Sequence, residues 1–407
     1  MSELVLRGRH NDHRVIEELL TAPSALGPRR ARYIRRVVVD ATAVVRTTAF
    51  AEATTAAAVQ MLVDPQTNLL FSTQGADDSW AKLPFAHSRA VTLDELRSST
   101  GRRALIENIV EFELDHGATA IIPPYLHLER FSDLEIELAC ALMQETHHYV
   151  REDLRLNYDV FPVVSIARHR AGLDGDKWSN YSGRVISGAA AVATGPFALG
   201  LSGSSKITEA SLHKNSRIWR RAAREGKFIA WHAGQSGPLA VALGAAGYEV
   251  GMCASERYDV TGERRNRAPG NDGDGPRYTG AYIDVLGRSI SLNAARDLGA
   301  LKKLRADLAC LDPGCCPRGV ESSFGDRRRQ HAVRSRINDL EALDGIGARG
   351  WRLHHLERRA SEAAAVARTV RLAADNLGLR VGVDPSEYEA TSRVMLGLLE
   401  TARLAIA

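Results

Sequence analysis

Residues 35–67 read RRVVVDATAVVRTTAFAEATTAAAVQMLVDPQT, and the reading of this stretch decides the fold. It opens and closes on short apolar runs, RRVVVDATAV at 35–44 and QMLVDPQT at 60–67, with an Ala-rich, helix-like segment between them. Both runs are apolar on both parities, as expected of a parallel strand covered on both faces. Each reaches an aspartate, Asp40 or Asp64, where its apolar part stops. A carboxylate is costly to bury, so an Asp closing an apolar strand is expected at a polar mouth. Asp64-Pro65 also reads as a turn start, and the two readings of Asp64 weigh equally.

The same unit recurs on either side. ELVL at 3–6, ATAIIPPY at 118–125, FPVVSIAR at 161–168, FALGLSGS at 197–204, KFIAWHAG at 227–234 and YEVGMCAS at 248–255 are further strand candidates. Helical patterns separate them. In 93–117, Leu105, Ile106, Ile109, Val110 and Phe112 line one face before Gly117; 132–150 starts at a Ser132 or Asp133 cap; 237–247 is short. Seven or eight alternations predict an α/β chain folded as a (β/α)8 TIM-type barrel over residues 1–255, with an open doubly wound sheet as runner-up. Residues 256–280 are polar and rich in Gly, 281–292 reads as a hairpin or single strand, and the chain is helical from about 327. The expected units are therefore the barrel, a loop, hairpin and metal subdomain at 256–345, and C-terminal helices at 346–407.

Composition narrows the classes. Of 407 residues 44% are hydrophobic and 25% charged, which excludes disordered and fibrous chains. No run approaches the roughly 18 apolar residues of a membrane span, and MSELVLRGRHND carries no export core, so the expectation is a soluble cytoplasmic protein with no membrane partner. The net charge of +4 is mild, although Arg clusters between 288 and 336 are compatible with nucleic-acid contact or with a solvated basic face. A homo-oligomer is compatible with the same composition.

Three of five cysteines, Cys310, Cys315 and Cys316, fall in CLDPGCC, and His331 follows on an Arg-rich helix. In a chain without an export signal, clustered thiols read first as metal ligands, and these four could bind a structural zinc. Adjacent Cys315 and Cys316 rarely both reach one ion, so His354 or His355 could complete the shell in place of one of them. The alternative is a set of buried thiols in a Gly-Pro loop.

Candidate substrate-binding residues sit where strands end. Tyr125 and His127 follow 118–123, and Arg168 and His169 end 161–167, with Arg168 suited to a phosphate or an internal ion pair. Gly203 and Ser204 belong to a small-residue loop able to offer backbone N–H groups to an anion or a base edge. Trp231, His232 and Gln235, in WHAGQSG, combine a flat ring, a titratable ring and an amide suited to a planar heterocycle.

The order of parts over residues 60–345 resembles the tRNA-guanine transglycosylase superfamily: a barrel whose last strand runs into a loop, a hairpin, cysteines beside Asp312-Pro313, then a His-bearing helix. The resemblance implies a glycosyltransferase that exchanges a nucleobase in tRNA or DNA, with structural zinc. On it, Asp64 matches the Asp opening the family's DSGGFQ motif, and LGLSGSS around Gly203 resembles the strand end lining the base pocket. The second base-reading Asp falls on Pro123, Pro124 or Tyr125, and the thiol spacing is Cys-x4-Cys-Cys where the family has Cys-x-Cys-x-x-Cys. The nucleophilic Asp falls near Met252, beside Cys253. Glu256 is then the first candidate catalytic carboxylate by position and Asp259 the second, with an internal Glu256–Arg257 pairing as the plain alternative. Two other readings stay open: an inactive barrel that binds nucleic acid or a partner protein, and an unrelated barrel enzyme of small phosphorylated metabolites.

Overall fold

The computed structural model describes residues 1–9, 12–22, 26–70, 80, 82–86, 91–169, 171, 178–203, 207–253, 258–260, 280–310 and 312–404. Its centre is a curled sheet of ten parallel strands, in the order β5-β7-β8-β9-β10-β1-β2-β3-β4-β6. They are β1 (Glu3–Gly8), β2 (Arg36–Asp40), β3 (Gln60–Asp64), β4 (Ala120–Ile121), β5 (His127–Leu128), β6 (Asp159–Val160), β7 (Val163–Ala167), β8 (Phe197–Ser202), β9 (Phe228–Trp231) and β10 (Gly247–Gly251).

Two strand pairs are short because of proline. Pro123 and Pro124 cannot donate to a ladder and separate β4 from β5; Pro162 separates β6 from β7. Pairing nonetheless runs on in line, Ala120 with Asp159 and Ile121 with Val160, then His127 with Ser165 and Leu128 with Ile166. Side chains satisfy the backbone freed by the first break. Ile122 N–H donates to Glu113 Oε2 at 3.0 Å, and Tyr125 N–H donates to Thr67 Oγ1 at 2.7 Å.

Helices follow most strands: α1 (His13–Thr21), α2 (Ala49–Ala56), α3 (Ser99–Asp115), α4 (Asp133–His148), α5 (Gly183–Val192), α6 (Glu209–Glu225) and α7 (Gly237–Ala242). Local chemistry sets their starts. Ser132 and Glu135 form a capping box on α4, Thr208 and Ser211 form one on α6, and Ser98 caps α3. Apolar residues of the sheet and of these helices merge in one large core, which includes Leu4, Leu6, Val37, Val39, Ile106 and Ile109. The opposite parity of the strands meets in a second, smaller cluster of Val5, Val38, Leu62, Ala120, Phe161, Val163, Ala198, Ile229 and Trp231. Strand alternation explains the split: residues i and i+2 share a face, and here both faces are covered.

Beyond the sheet lie the antiparallel hairpin β11 (Gly280–Ile283) and β12 (Arg288–Ser291), then α8 (Leu292–Ala300), α9 (Lys302–Leu308), α10 (Arg328–Gly345), α11 (Arg349–Asn376) and α12 (Pro385–Leu404). The hairpin and helices α8, α9, α11 and α12 share a separate apolar cluster containing Ile283, Leu298, Ala367 and Tyr388. Helix α10 instead packs into the main core through Val333, Ile337, Leu340 and Leu343. Among the described residues no helix is long and apolar enough to cross a membrane.

Candidate functional site

Continuing the inner parity past the apolar layer places Arg7, Asp40, Asp64 and Glu249 together where β1, β2, β3 and β10 approach their carboxyl ends. Arg7 is fully buried. Its Nε donates to Glu249 Oε1 at 2.9 Å, one terminal nitrogen bonds Asp40, and the other lies 2.9 Å from Asp64 Oδ2. Asp40 and Asp64 are register partners on adjacent strands, so parallel pairing itself sets them side by side. The guanidinium also lies 4.9 Å from the centre of the Trp231 ring. Burial works against the charge on both Arg7 and Glu249; the three carboxylates more than offset it for Arg7, whereas Glu249 is left above the usual carboxylate range. The side chain of Asp40 is 13% exposed against 1% for Asp64 and none for Glu249, so Asp40 is the carboxylate that a molecule at the mouth meets first.

Asp64 does two things at once. Its Oδ1 accepts from Gln66 N–H at 2.9 Å, the Asx turn that Asp-Pro suggests, and accepts from Tyr125 Oη at 2.9 Å, while Oδ2 faces Arg7. Burial, then the charge of Asp64, pushes the Tyr125 phenol well above its ordinary pKa, so it remains a neutral donor.

Next to this ionic cluster lies a chain of hydrogen-bonded and stacked side chains. His127 Nδ1 and Ser165 Oγ are 2.7 Å apart, Ser165 Oγ and Tyr258 Oη 2.6 Å apart, and the Tyr258 ring stacks on His232 at 4.8 Å with planes 3° apart. His232 takes a left-handed backbone (φ 49°) and donates its N–H to Glu249 Oε2 at 2.7 Å. Burial, followed by the charges of Arg7 and Arg9, holds its imidazole well below the ordinary pKa, so the ring is neutral near pH 7. Tyr258 belongs to a short described segment laid across the end of β8: Gly203 N–H donates to Tyr258 O at 3.1 Å, and Val260 N–H donates to Ser202 Oγ at 3.1 Å. Asp259 sits half-buried between these two anchors. Arg168 lies over Gly203, where a Cβ would come within 2.6 Å of its guanidinium.

Of the residues singled out from the sequence, Asp64, Tyr125, Trp231 and His232 converge here, with Gly203 and Arg168 at the neighbouring strand ends. Trp231 is buried 99% in the inner cluster beneath Arg7, so its ring packs and supports instead of presenting a free stacking face. Gln235 is elsewhere: it lines a cavity shared with Leu286, Tyr388 and Met395, between the sheet helices and the C-terminal helices. Glu256 and Ser204 lie outside the described residues. Sequence reasoning missed Arg7, Glu249, Ser165 and Tyr258. Arg7 carried a signal, because it follows the apolar run ELVL just as Asp40 and Asp64 follow theirs.

A second constellation holds Cys310, Cys315, Cys316 and His331, whose ligand atoms all lie within 4.8 Å of one another. Cys315 Sγ is 3.5 Å from His331 Nδ1 and 3.7 Å from Cys316 Sγ, so both neighbouring cysteines reach the cluster. Asp312 shapes the turn: its Oδ1 accepts from Gly314 N–H and Cys315 N–H, its carbonyl accepts from Cys316 N–H at 2.8 Å, and Arg334 Nε donates to Oδ2 at 3.0 Å. A hydrogen bond to Cys310, then burial and the like charge of a Cys310 thiolate, hold the Cys315 thiol up to about 12, in opposition to a second thiolate. A cation removes that opposition, and three sulfurs with one imidazole fit the tetrahedral preference of zinc among soft metals. His331 is 99% buried on α10, whereas His354 is exposed and His355 half-buried on α11, apart from the set.

The sequence matches no protein-family model and no curated protein. Among solved structures, one titled as the structure of CpGH84B aligns over 97% of this chain and 66% of its own length, at 9% identity and a TM-score of 0.31. The chain thus spans just under two thirds of that structure.

Proposed function

We propose that the protein is a (β/α)8 barrel that acts on a nucleobase in nucleic acid, by base exchange or related N-glycosidic chemistry, and carries a structural zinc. Taking β4 with β5, and β6 with β7, as single strands interrupted by proline reduces the ladder to eight and joins its two ends. The observation that carries the functional reading is the pair Asp40 and Asp64 at the strand ends, both held by Arg7 beside Tyr125 and the His232–Tyr258 stack.

Three carboxylates around one guanidinium leave a site rich in acceptors. Its complement is a planar molecule bearing several N–H donors, such as a guanine-type base with its ring and exocyclic N–H groups. On this reading Arg7 fixes the carboxylates, Asp64 and Tyr125 read the base edge, and Asp40 faces the sugar. As the C1′–N bond breaks, a carboxylate oxygen bonds C1′ and the departing base takes up a proton; the incoming base reverses both steps. Asp40, by its exposure, is the first choice for that oxygen, with Glu256 and Asp259 behind it.

The test is exchange of radiolabelled guanine into tRNA and into duplex DNA. Asp40→Asn and Asp64→Asn should each lower the exchange rate at least a hundredfold, with circular dichroism unchanged. A protein with no exchange activity, whose nucleic-acid affinity ignores both substitutions, would instead fit the binding-protein reading. One observation favours that second reading: both oxygens of Asp64 and of Glu249 are already engaged, by Arg7 on one side and by Gln66, Tyr125 or His232 on the other, and both carboxylates are almost wholly buried.

A further inference from the structure

Helix α6 carries a run of cations that the site does not use. From Ala210 to Arg224 it has no acidic residue, while His213, Lys214, Arg217, Arg220, Arg221 and Arg224 fall within about a third of its circumference at 3.6 residues per turn. The opposite face, with Leu212, Ile218, Trp219 and Ala222, is buried against the sheet. Arg217 and Arg224 are exposed and Arg220 is half-buried. Among the described residues none of these three forms an ion pair. The acids at the helix ends are engaged: Glu209 accepts from Arg393 at 3.0 Å and Glu225 from Ser187 at 2.7 Å.

The run is continued at both ends by other elements. Lys214 Nζ donates to the carbonyl of His169 at 3.0 Å, at the carboxyl end of β7, and feels the charges of Arg168 and Arg217. At the far end Arg349 of α11, anchored on the carbonyl of Leu243 at 3.2 Å, feels those of Arg220 and Arg224. Among the described residues, cations from three elements therefore face one another without an intervening acid. A merely solvated basic face pairs its charges, as α11 does with Arg358–Glu362, Arg368–Glu389 and Arg371–Asp375. Cations such as Arg217, Arg220 and Arg224, held together with no ion pair among the described residues, call for a polyanion.

We propose that Lys214, Arg217, Arg220, Arg224 and Arg349 form a track for the phosphate backbone of a nucleic acid, leading away from the strand-end mouth at Arg168. This rests on the reading of the pocket as a nucleobase site and adds where the rest of the polymer lies. From Lys214 to Arg224 the helix rises about 15 Å, enough for about three successive phosphates of one strand.

The experiment is fluorescence anisotropy of a labelled 24-nucleotide DNA strand, its duplex and an RNA hairpin, titrated with the full-length protein at several KCl concentrations. The variant is Arg217→Gln/Arg220→Gln/Arg224→Gln. The control, Arg358→Gln/Arg368→Gln/Arg371→Gln, changes net charge equally on the paired face. Loss of tenfold or more in affinity at 100 mM KCl, with a salt slope shallower by about two, in the α6 variant only, supports the track. Equal losses in both variants mean a net-charge effect and overturn it. So does binding of wild type to phosphatidylserine vesicles and to none of the three polymers. Base exchange on a free nucleoside reports on the pocket alone: its persistence without polymer binding sinks the track and spares the pocket.

Discussion

The ring of Tyr258 occupies the space that a side chain at Gly200 would fill: a Cβ there would lie 2.7 Å from Tyr258 Cε1. Gly200 is on the inner parity of β8, between Ala198 of the inner core and Ser202, so its bare backbone is what lets a residue from a distant loop enter the sheet's mouth. Gly200→Val should expel Tyr258, break its contact with Ser165 and unstack His232. The expected cost is about 1–3 kcal/mol of overpacking, read from urea unfolding. In Gly200→Val/Tyr258→Ala the two effects should add up to less than their sum, because the same contact is lost twice.

Removing Arg7 should be far worse than removing any one of its partners. Arg7→Met leaves two or three buried carboxylates facing one another, at a cost of about 3–5 kcal/mol. Arg7→Lys should recover little, since one ammonium cannot serve three carboxylates in different directions. Adding Glu249→Gln to Arg7→Met should restore part of the loss. Thermal unfolding of wild type, these three variants and the single variants Asp40→Asn, Asp64→Asn and Glu249→Gln checks the order.

Stability should fall on mild acidification, and His232 sets one part of it. Its folded pKa is held well below the unfolded value of about 6.5, so below that pH the unfolded chain binds a proton that the folded chain refuses. The contribution is therefore full above about pH 7 and is lost as pH falls through 6.5 and beyond. His232→Gln should flatten the difference between urea midpoints at pH 7.5 and 5.5. An unchanged slope would mean that other groups carry it.

Metal analysis of purified protein should give about one zinc per chain, abolished in Cys310→Ser and in His331→Ala. Because His331 sits on α10, whose apolar face enters the main core, chelation should lower the melting temperature of the whole molecule and not merely loosen a surface loop. Metal-free protein with an unaltered melting temperature would count against a structural ion.

The strands were legible because both-face burial makes each an apolar run: each of the eight stretches chosen from the sequence overlaps a strand, while the two-residue strands β5 and β6 fall outside them. What escaped was the interruption at Pro123-Pro124, where side chains of Glu113 and Thr67 take over backbone partners from distant positions. The cluster of three thiols and an imidazole was legible because thiols are rare and its members are close in sequence, though the joint reach of Cys315 and Cys316 is a matter of turn geometry at Asp312. The ionic cluster was half legible. Asp40 and Asp64 announce themselves by ending apolar runs, but Glu249 sits mid-strand between Tyr248 and Val250 and looks like ordinary alternation. Its partner Arg7 is 242 residues away, a separation that local patterning cannot bridge.

The same separation governs how the chain reaches its final form. Strand β1 bonds β2 on one side and β10 on the other, pairing Val5 with Glu249 and Arg7 with Gly251. Ser2, just before it, donates from both its N–H and its hydroxyl to Asp344 at the end of α10. Within the ten-stranded sheet β1 comes earliest in the chain and β10 latest, so during synthesis one edge of β1 stays unpaired until residues 247–251 have emerged. A nascent chain halted before residue 247 keeps that edge open to chaperones and to other copies of itself. A circular permutation that starts at β2 would move the open edges to β2 and β10, and both would then wait for β1.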